Sequence, residues 1–264
     1  MIELLKYSFM QNAIISCFFT VIICAVAGTL VVVNRNVFIT GGVAHASYGG
    51  IGVALWIGFS PLLGALGVAV LAGTLLGIMR QKYADKSDAL VSALWAAGMA
   101  GGILLSDLTP GYSVDYLSYL FGSILLVSLQ DTIFIGVFAL MLLILAVYYY
   151  RVLLIVSSDQ EYASTLGIPV KRVNLILLVF LCVSVVLMMR VAGLVIVMAL
   201  LSIPASVAET YTKRLSGVML LSGLIAAAAI FGGLFLAVYL NLTPGAMIVA
   251  LLAVIYLLNI IVKR

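Results

Sequence analysis

The chain consists of long apolar segments separated by short polar turns, and this pattern constrains its fold more than any other feature. Inside a bilayer the backbone N–H and C=O groups find no water, so each spanning segment must satisfy them internally as a helix. Hydrophobic residues make up 66% of the 264 residues and charged residues 8%, against roughly 25% charged residues in a soluble domain. A soluble core of this length could not bury so much apolar surface. The sequence therefore predicts an all-α polytopic membrane bundle and excludes water-soluble enzymes.

Nine of the apolar segments are long enough to cross a bilayer as helices. They are residues 13–33, 37–59, 62–79, 90–105, 132–150, 173–189, 191–208, 215–240 and 246–262. Residues 1–12 carry loosely spaced apolar positions, which predicts a short interfacial helix before the first span. Residues 116–129 are too short and interrupted to span, which predicts a re-entrant or interfacial helix. We interpret residues 1–264 as one transmembrane permease domain.

Basic residues orient these spans by the positive-inside rule. Four basic clusters fall on the same side in a nine-span scheme, with the C-terminus inside and the N-terminus outside; they lie at residues 80–86, at 151 and 171–172 on either side of one polar segment, at 213–214 and at 263–264. Arg190 is the exception, since the scheme puts it near the external surface. The external polar region carries Asp107, Asp115 and Asp131. These carboxylates could receive a cation or a basic patch of an external partner, although most exposed carboxylates do neither. The net charge of +4 reflects membrane orientation and does not indicate nucleic acid.

The longest polar interval in the second half of the chain, residues 157–169, predicts a helix of about two turns on the inner surface. Ser158 and Glu161 have the spacing of a capping box at its start. Gly167 can adopt the left-handed conformation that ends a helix, and Pro169 cannot continue one. An apolar stripe is formed by Tyr162, Ala163 and Leu166. Two interpretations remain open, a capped surface loop and a docking helix for a cytoplasmic partner.

His45 is the only histidine, and it lies in a span rich in small residues that include Gly41, Gly42 and Gly49. Small residues permit close helix packing in membranes. An ionisable group near the bilayer midplane is a functional candidate, and imidazole is a common ligand of transition metals. The alternative is a histidine hydrogen-bonded to a neighbouring helix. At helical spacing only Tyr48 offers a second polar atom, but two-fold symmetry would bring two His45 rings to one axis.

A second candidate region surrounds Pro204. Proline removes a helical hydrogen bond, so it predicts a bend and a freed carbonyl that can line a pathway. Ser202 and Glu209 could then form part of a polar wall. The alternative is a pair of Glu209 with Lys213 four residues on, and the spacing favours that interpretation.

Several motifs resemble one family when they are taken together and in order. The segment from Gly41 to Gly52, with Ala44-His45-Ala46 at its centre, is similar to a signature of permease subunits in metal-type ABC importers, which move zinc, manganese or iron(II). Residues 119–125, 159–167, 193–208 and 242–249 resemble further segments of that family, so the resemblance covers nearly the whole chain. Many members carry an aspartate four residues before this histidine, where this chain has Gly41.

The resemblance implies a permease dimer with the fold of cobalamin and iron-siderophore importers, in a bacterial or archaeal cytoplasmic membrane. It implies that a separate cytoplasmic ATPase binds ATP and that an external metal-binding protein delivers the ion. No permanent cofactor and no catalytic residue are expected in this chain. The pathway histidine would be His45. The ATPase would contact the coupling helix over residues 158–167 through Asp159, Glu161, Tyr162, Ala163, Leu166 and Gly167.

Two other classes of protein compete with this interpretation. An ion-coupled secondary transporter would need buried acidic or basic residues for proton or sodium coupling, and no ionisable residue besides His45 is predicted mid-membrane. An intramembrane enzyme would need a catalytic dyad or a metal cluster within the spans. One histidine without a carboxylate partner argues against it.

Overall fold

The computed structural model describes residues 7–82, 87–109, 122, 124 and 127–263, and these residues form helices without any strand. In chain order the helices are α1 (Ser8–Val33), α2 (Val37–Ile57), α3 (Pro61–Lys82), α4 (Ser87–Asp107), α5 (Leu129–Tyr148), α6 (Tyr150–Ser158), α7 (Gln160–Thr165), α8 (Val170–Ala192), α9 (Leu194–Tyr211), α10 (Leu215–Leu240) and α11 (Pro244–Val262).

Nine helices of the described part are long and apolar enough to cross a membrane, which confirms the prediction of an all-α polytopic bundle. All except α6 and α7 belong to this set. Several helices extend a few residues beyond the predicted spans, since a helix continues into the polar interface where hydropathy no longer marks it. The first span already begins at Ser8, so residues 8–12 of the predicted interfacial helix are part of that span. Most of the predicted re-entrant helix at 116–129 lies outside the described residues.

The chain divides into two compact units. Unit 1 comprises Met1–Asn34, Leu117–Tyr150 and Met188–Arg264, and unit 2 comprises Arg35–Tyr116 and Arg151–Leu187. Helices α1, α5, α9, α10 and α11 belong to unit 1. Helices α2, α3, α4 and α7 belong to unit 2, and α6 and α8 contribute residues to both. The predicted single permease domain stays a prediction.

Unit 2 is packed around α2, which contacts both α3 and α4. Glycines make these contacts possible at backbone distance. A Cβ atom added at Gly50 would lie 2.3 Å from the backbone oxygen of Gly64 on α3, and one at Gly52 would lie 2.5 Å from that of Gly102 on α4. Larger residues would push the helices apart, so the small-residue pattern of the second span brings three helices into direct backbone contact.

Unit 1 is held by larger apolar side chains and by polar contacts between helices. Leu201 of α9, Ile230 of α10 and Leu252 of α11 are almost fully buried. The Ser16 hydroxyl of α1 lies 2.8 Å from the Thr132 hydroxyl of α5. Helix α1 also contains a π-helical turn over Cys24–Gly28, which the sequence did not predict.

Candidate functional site

His45 lies near the middle of α2, and its side chain meets two residues of α4. The imidazole stacks on Trp95 with 4.2 Å between ring centroids and 17° between the ring planes. Its Nδ1 atom is 2.9 Å from the sulfur of Met99. This contact realises one of the two interpretations of His45, a histidine bonded to a neighbouring helix. It engages a single ring nitrogen, so the contact is compatible with metal binding by the other.

Glycine packing explains why Trp95 and Met99 reach the histidine. A Cβ atom added at Gly98 would lie 2.4 Å from the Cα of Ala46, the residue that follows His45. Residues 95 and 99 are four apart on α4, so they project from one face of that helix on either side of the contact. Because Gly98 has no side chain, α4 approaches α2 closely, and this approach brings Trp95 and Met99 against the imidazole ring.

Sequence reasoning missed Trp95 and Met99 because it searched for partners of His45 only within its own helix. A signal was nevertheless present. Apart from Leu94, the other residues from Ala93 to Gly102 are all small, and the two large side chains Trp95 and Met99 are spaced four residues apart, which places them on one helix face. Among the described residues, no group of three or more histidine, cysteine, aspartate or glutamate side chains could hold a metal ion. The chain thus offers an imidazole and a thioether here, and not a complete ligand set.

The other site residues predicted on α2 are buried or lie at its contact with α4. Tyr48 is 3% exposed. A Cβ atom at Gly42 would lie 2.3 Å from a methyl carbon of Val91 on α4, and one at Gly49 would lie 3.1 Å from the backbone oxygen of Gly98. Gly41 is buried. A side chain at Gly42 would have to displace Val91, and one at Gly49 would be tightly packed against α4, as expected of residues at a close helix contact.

An apolar groove of 610 Å³ lies between α2, α3 and α4 in unit 2. Side chains such as Val53, Leu71 and Leu105 line it, and Thr74 is the one hydroxyl-bearing residue among the described lining residues. A hydrated cation needs oxygen, nitrogen or sulfur donors along its path. The groove therefore does not supply a pathway for an ion.

The second predicted pathway region lies on α9, in unit 1. The Ser202 hydroxyl donates to the Met198 carbonyl at 2.7 Å, a bond within its own helix. Helix α9 continues through the buried Pro204. Since proline has no N–H, the Leu200 carbonyl lacks its usual helical donor.

The predicted pair of Glu209 with Lys213 is absent from the ion pairs of the described residues. The physical reason is that α9 ends at Tyr211 and the following Thr212 is extended, so the two residues do not share a helix. Glu209 is partly exposed near the end of α9. The interpretation that the spacing favoured is therefore wrong.

The polar interval at 157–169 contains the predicted short helix, α7, but its start differs from the prediction. The N-cap is Asp159, whose Oδ1 accepts the backbone N–H groups of Glu161 and Tyr162, both at 2.9 Å. Ser158 is the last residue of α6 and forms no capping box with Glu161. The capping box was wrong because Asp159, in an extended conformation, places a carboxylate at the orphan donors one residue later.

The end of α7 follows the prediction. Gly167 has a positive φ of 76°, a conformation that glycine adopts without the strain of a Cβ atom. Its N–H donates to the Ser164 carbonyl at 3.0 Å, and the Ile168 N–H donates to the Ala163 carbonyl at 3.2 Å. These two bonds form a Schellman motif. Both ends of α7 are therefore capped, which stabilises a helix too short to persist alone.

The predicted apolar stripe of α7 is divided between its two faces. Tyr162 is 55% exposed and Leu166 is 52% exposed, whereas Ala163 is fully buried. Ala163 therefore cannot contact a partner, and its assignment to the docking surface is corrected. Asp159 and Glu161 are exposed beside Tyr162.

Arg190, the exception to the charge pattern, has a partner in unit 1. Its Nε lies 3.3 Å from Oδ1 of Asp131, whose side chain is 9% exposed. Asp131 also forms a capping box at the start of α5, where its Oδ2 accepts the Ser128 hydroxyl at 2.8 Å and its N–H donates to the Ser128 oxygen at 3.1 Å. Asp131 is thus occupied and is not available to an external partner. Asp107 is exposed, and Asp115 lies outside the described residues.

The described residues form nine membrane-length helices, one of which carries a central histidine, and a short capped helix between α6 and α8, as expected of a multi-pass transport permease. The comparison with family models agrees. The model of the ABC 3 transport family matches residues 6–263, and the chain belongs to this family. The family resemblance found in the sequence is confirmed.

Relatives match almost the full length of the chain. The uncharacterized membrane protein slr2045 of Synechocystis sp. is 39% identical over 100% of this chain and 94% of its own length. ScaB, a manganese import system permease protein of Streptococcus parasanguinis, is 30% identical over 96% of this chain and 90% of its own. Among solved structures, PsaBC from Streptococcus pneumoniae in complex with Fab gives a TM-score of 0.86 at 27% identity, covering 98% of this chain and 93% of that one.

Proposed function

We propose that the chain is the membrane permease of an ABC importer for a divalent transition metal ion, namely zinc, manganese or iron(II). Membership of the ABC 3 transport family and the similarity to a manganese import permease support this substrate class. In the proposal two copies form the translocation pathway. A separate cytoplasmic ATPase drives transport, and an external metal-binding protein delivers the ion.

In this proposal the ion passes His45. A neutral imidazole binds divalent transition metals and also releases them, which suits a transit site better than a permanent one. Because unit 2 supplies one imidazole, the second copy would contribute another. Tyr48, Ser202 and Glu209 are proposed as further pathway residues; Tyr48 is buried, and the Ser202 hydroxyl is bonded within α9.

The observation that carries the proposal is α7, a helix capped at both ends that joins two longer helices and presents Tyr162 and Leu166 to the surface. Exposed aromatic and aliphatic side chains on a rigid element are typical anchors of protein interfaces. A capped helix also transmits a displacement without fraying, so motion of the ATPase would tilt the spans that follow α7. The bound ATP and its hydrolysis remain on the partner.

Substitution of the two exposed anchors tests this coupling role. In proteoliposomes containing the permease, its ATPase and its binding protein, Tyr162→Glu and Leu166→Asp should each lower metal-dependent uptake and ATPase copurification by about tenfold or more, as expected for anchors worth about 2 kcal/mol. The matched control is Gln160→Glu, which adds the same charge at the exposed start of α7 and keeps the Asp159 cap. Normal copurification and uptake in both anchor variants would refute the proposal.

A further inference from the structure

The contact between His45 and Met99 determines which nitrogen of the imidazole carries the proton. A thioether sulfur has lone pairs and no hydrogen to donate, so it can act only as an acceptor. The 2.9 Å approach of Nδ1 to the Met99 sulfur is therefore a hydrogen bond only if Nδ1 is protonated. In a neutral ring Nε2 then carries the lone pair.

A shared metal ion does not explain the same distance. Two ligands on one tetrahedral metal, a nitrogen at about 2.0 Å and a sulfur at about 2.3 Å, lie roughly 3.5 Å apart. The observed separation of 2.9 Å is shorter than this, so the two atoms are closer than two ligands of one tetrahedral ion would be, and a direct contact of the ring N–H with the sulfur accounts for it. In this geometry Met99 is a partner of the imidazole and not a second ligand beside it.

Trp95 restricts the orientation of the imidazole ring plane, which the contact with Met99 alone does not fix. With 4.2 Å between centroids and 17° between planes, its face covers one face of the imidazole. Stacking fixes the plane of the ring, and the bond to Met99 fixes its rotation within that plane. Both residues are held by the close contact of Gly98 with Ala46.

We infer that Met99 and Trp95 are positioning residues that hold His45 with Nδ1 protonated, so that Nε2 is the nitrogen offered to the transported metal ion. This inference rests on the proposed function of His45 in the ion pathway. Ligating histidines commonly donate their other N–H to a neighbouring acceptor, which selects the tautomer and orients the ring. In this chain a sulfur takes the position that a carboxylate or carbonyl oxygen often occupies.

The absence of any other histidine makes the tautomer directly measurable. The full-length chain is labelled with ¹⁵N-histidine, purified metal-free with a histidine-free tag and placed in nanodiscs. The two nitrogen signals of His45 should report a protonated Nδ1. Met99→Leu, which nearly conserves volume, should shift the ring towards the Nε2-protonated tautomer that free histidine favours. Met79→Leu on α3 is the matched control and should leave both signals unchanged, while Trp95→Phe should keep the tautomer because it keeps an aromatic face.

Uptake of Mn²⁺, Zn²⁺ and Fe²⁺, each tested alone, links the tautomer to transport. In proteoliposomes with the ATPase and the binding protein, Met99→Leu should raise the KM for uptake by about tenfold, the lower range for the loss of such a partner. A protonated Nε2 in the unsubstituted chain, or an altered tautomer with unchanged KM, overturns the inference. Unchanged uptake in His45→Ala would instead overturn the proposed pathway role. These two failures are distinguishable, because the nitrogen signals do not depend on transport.

Discussion

The two units of the molecule differ in the contacts that are most frequent between their helices. In unit 2, α2 touches α3 and α4 where side chains are missing, as at Gly50 against Gly64 and at Gly98 against Ala46. In unit 1, helices are joined where polar side chains are present, as at Ser16 with Thr132 and at Asp131 with Arg190. Apolar burial alone drives no association between helices in lipid, so packing and polar contacts must provide it.

This difference determines how each unit should respond to substitution. Unit 2 should be sensitive to atoms that are added at its glycine contacts, since the helix backbones touch there. Unit 1 should be sensitive to atoms that are removed, since a lost partner leaves a polar group unsatisfied in a dry environment. Substitutions that add atoms in unit 2 and substitutions that remove atoms in unit 1 therefore test this difference between the units.

The largest effect is expected at Gly50. In Gly50→Ala the new methyl group would lie 2.3 Å from the backbone oxygen of Gly64, which cannot move without the whole of α3. We expect a loss of about 3 kcal/mol in the free energy of unfolding, the upper part of the usual range for overpacking. Unfolding in mixed micelles measures it. Gly67→Ala on α3 is the control, because a Cβ there meets nothing within 4 Å; equal losses in both variants would contradict the role of close packing.

A smaller effect is expected at Asp131 in unit 1. Asp131→Ala removes the partner of Arg190 and the capping box with Ser128. We expect a loss of about 1 kcal/mol, since the Ser128 hydroxyl still accepts the backbone N–H of residue 131 and the ion pair is weakened by the partial exposure of Arg190. The same unfolding assay applies. Asp107→Ala removes an exposed carboxylate at the end of α4, where it opposes the helix dipole, and should not destabilise the protein. Equal stability of the two variants would argue against the pair.

The smallest effect is expected at Ser16. Ser16→Ala deletes the hydroxyl that meets Thr132 across α1 and α5. Thr132 still donates to the Ser128 carbonyl at 3.0 Å, so it keeps one partner. We expect a loss of about 0.6 kcal/mol, the average for such bonds between membrane helices. Ser184→Ala is the control, because that hydroxyl donates to Phe180 within its own helix; a larger loss in the control would contradict the comparison.

Properties that depend on sequence spacing could be predicted, and properties that depend on contacts between helices could not. The nine spans and the end of α7 at Gly167 follow from local hydropathy and backbone preference. The contact of His45 with Met99 joins residues that are 54 apart and depends on how α2 and α4 pack.

Two errors have the same origin. Ser158 and Glu161 have the spacing of a capping box, but Asp159 competes for the same N–H groups, and the spacing alone does not decide between them. Ala163 was assigned to a docking stripe because helical spacing groups residues by face. The predicted stripe included the exposed Tyr162 and Leu166 together with the buried Ala163, and only the fold distinguishes exposed from buried positions.

The π-helical turn in α1 has a consequence for the whole helix. A turn of this kind carries one residue more than an α-helical turn would, and an extra residue rotates everything after it by about 100°. Ser16, before the turn, meets α5, whereas Gly28, at its end, lies against Leu201 of α9. One span thus serves two neighbours on different sides, and deleting a single residue between positions 24 and 28 would turn its second half away from α9.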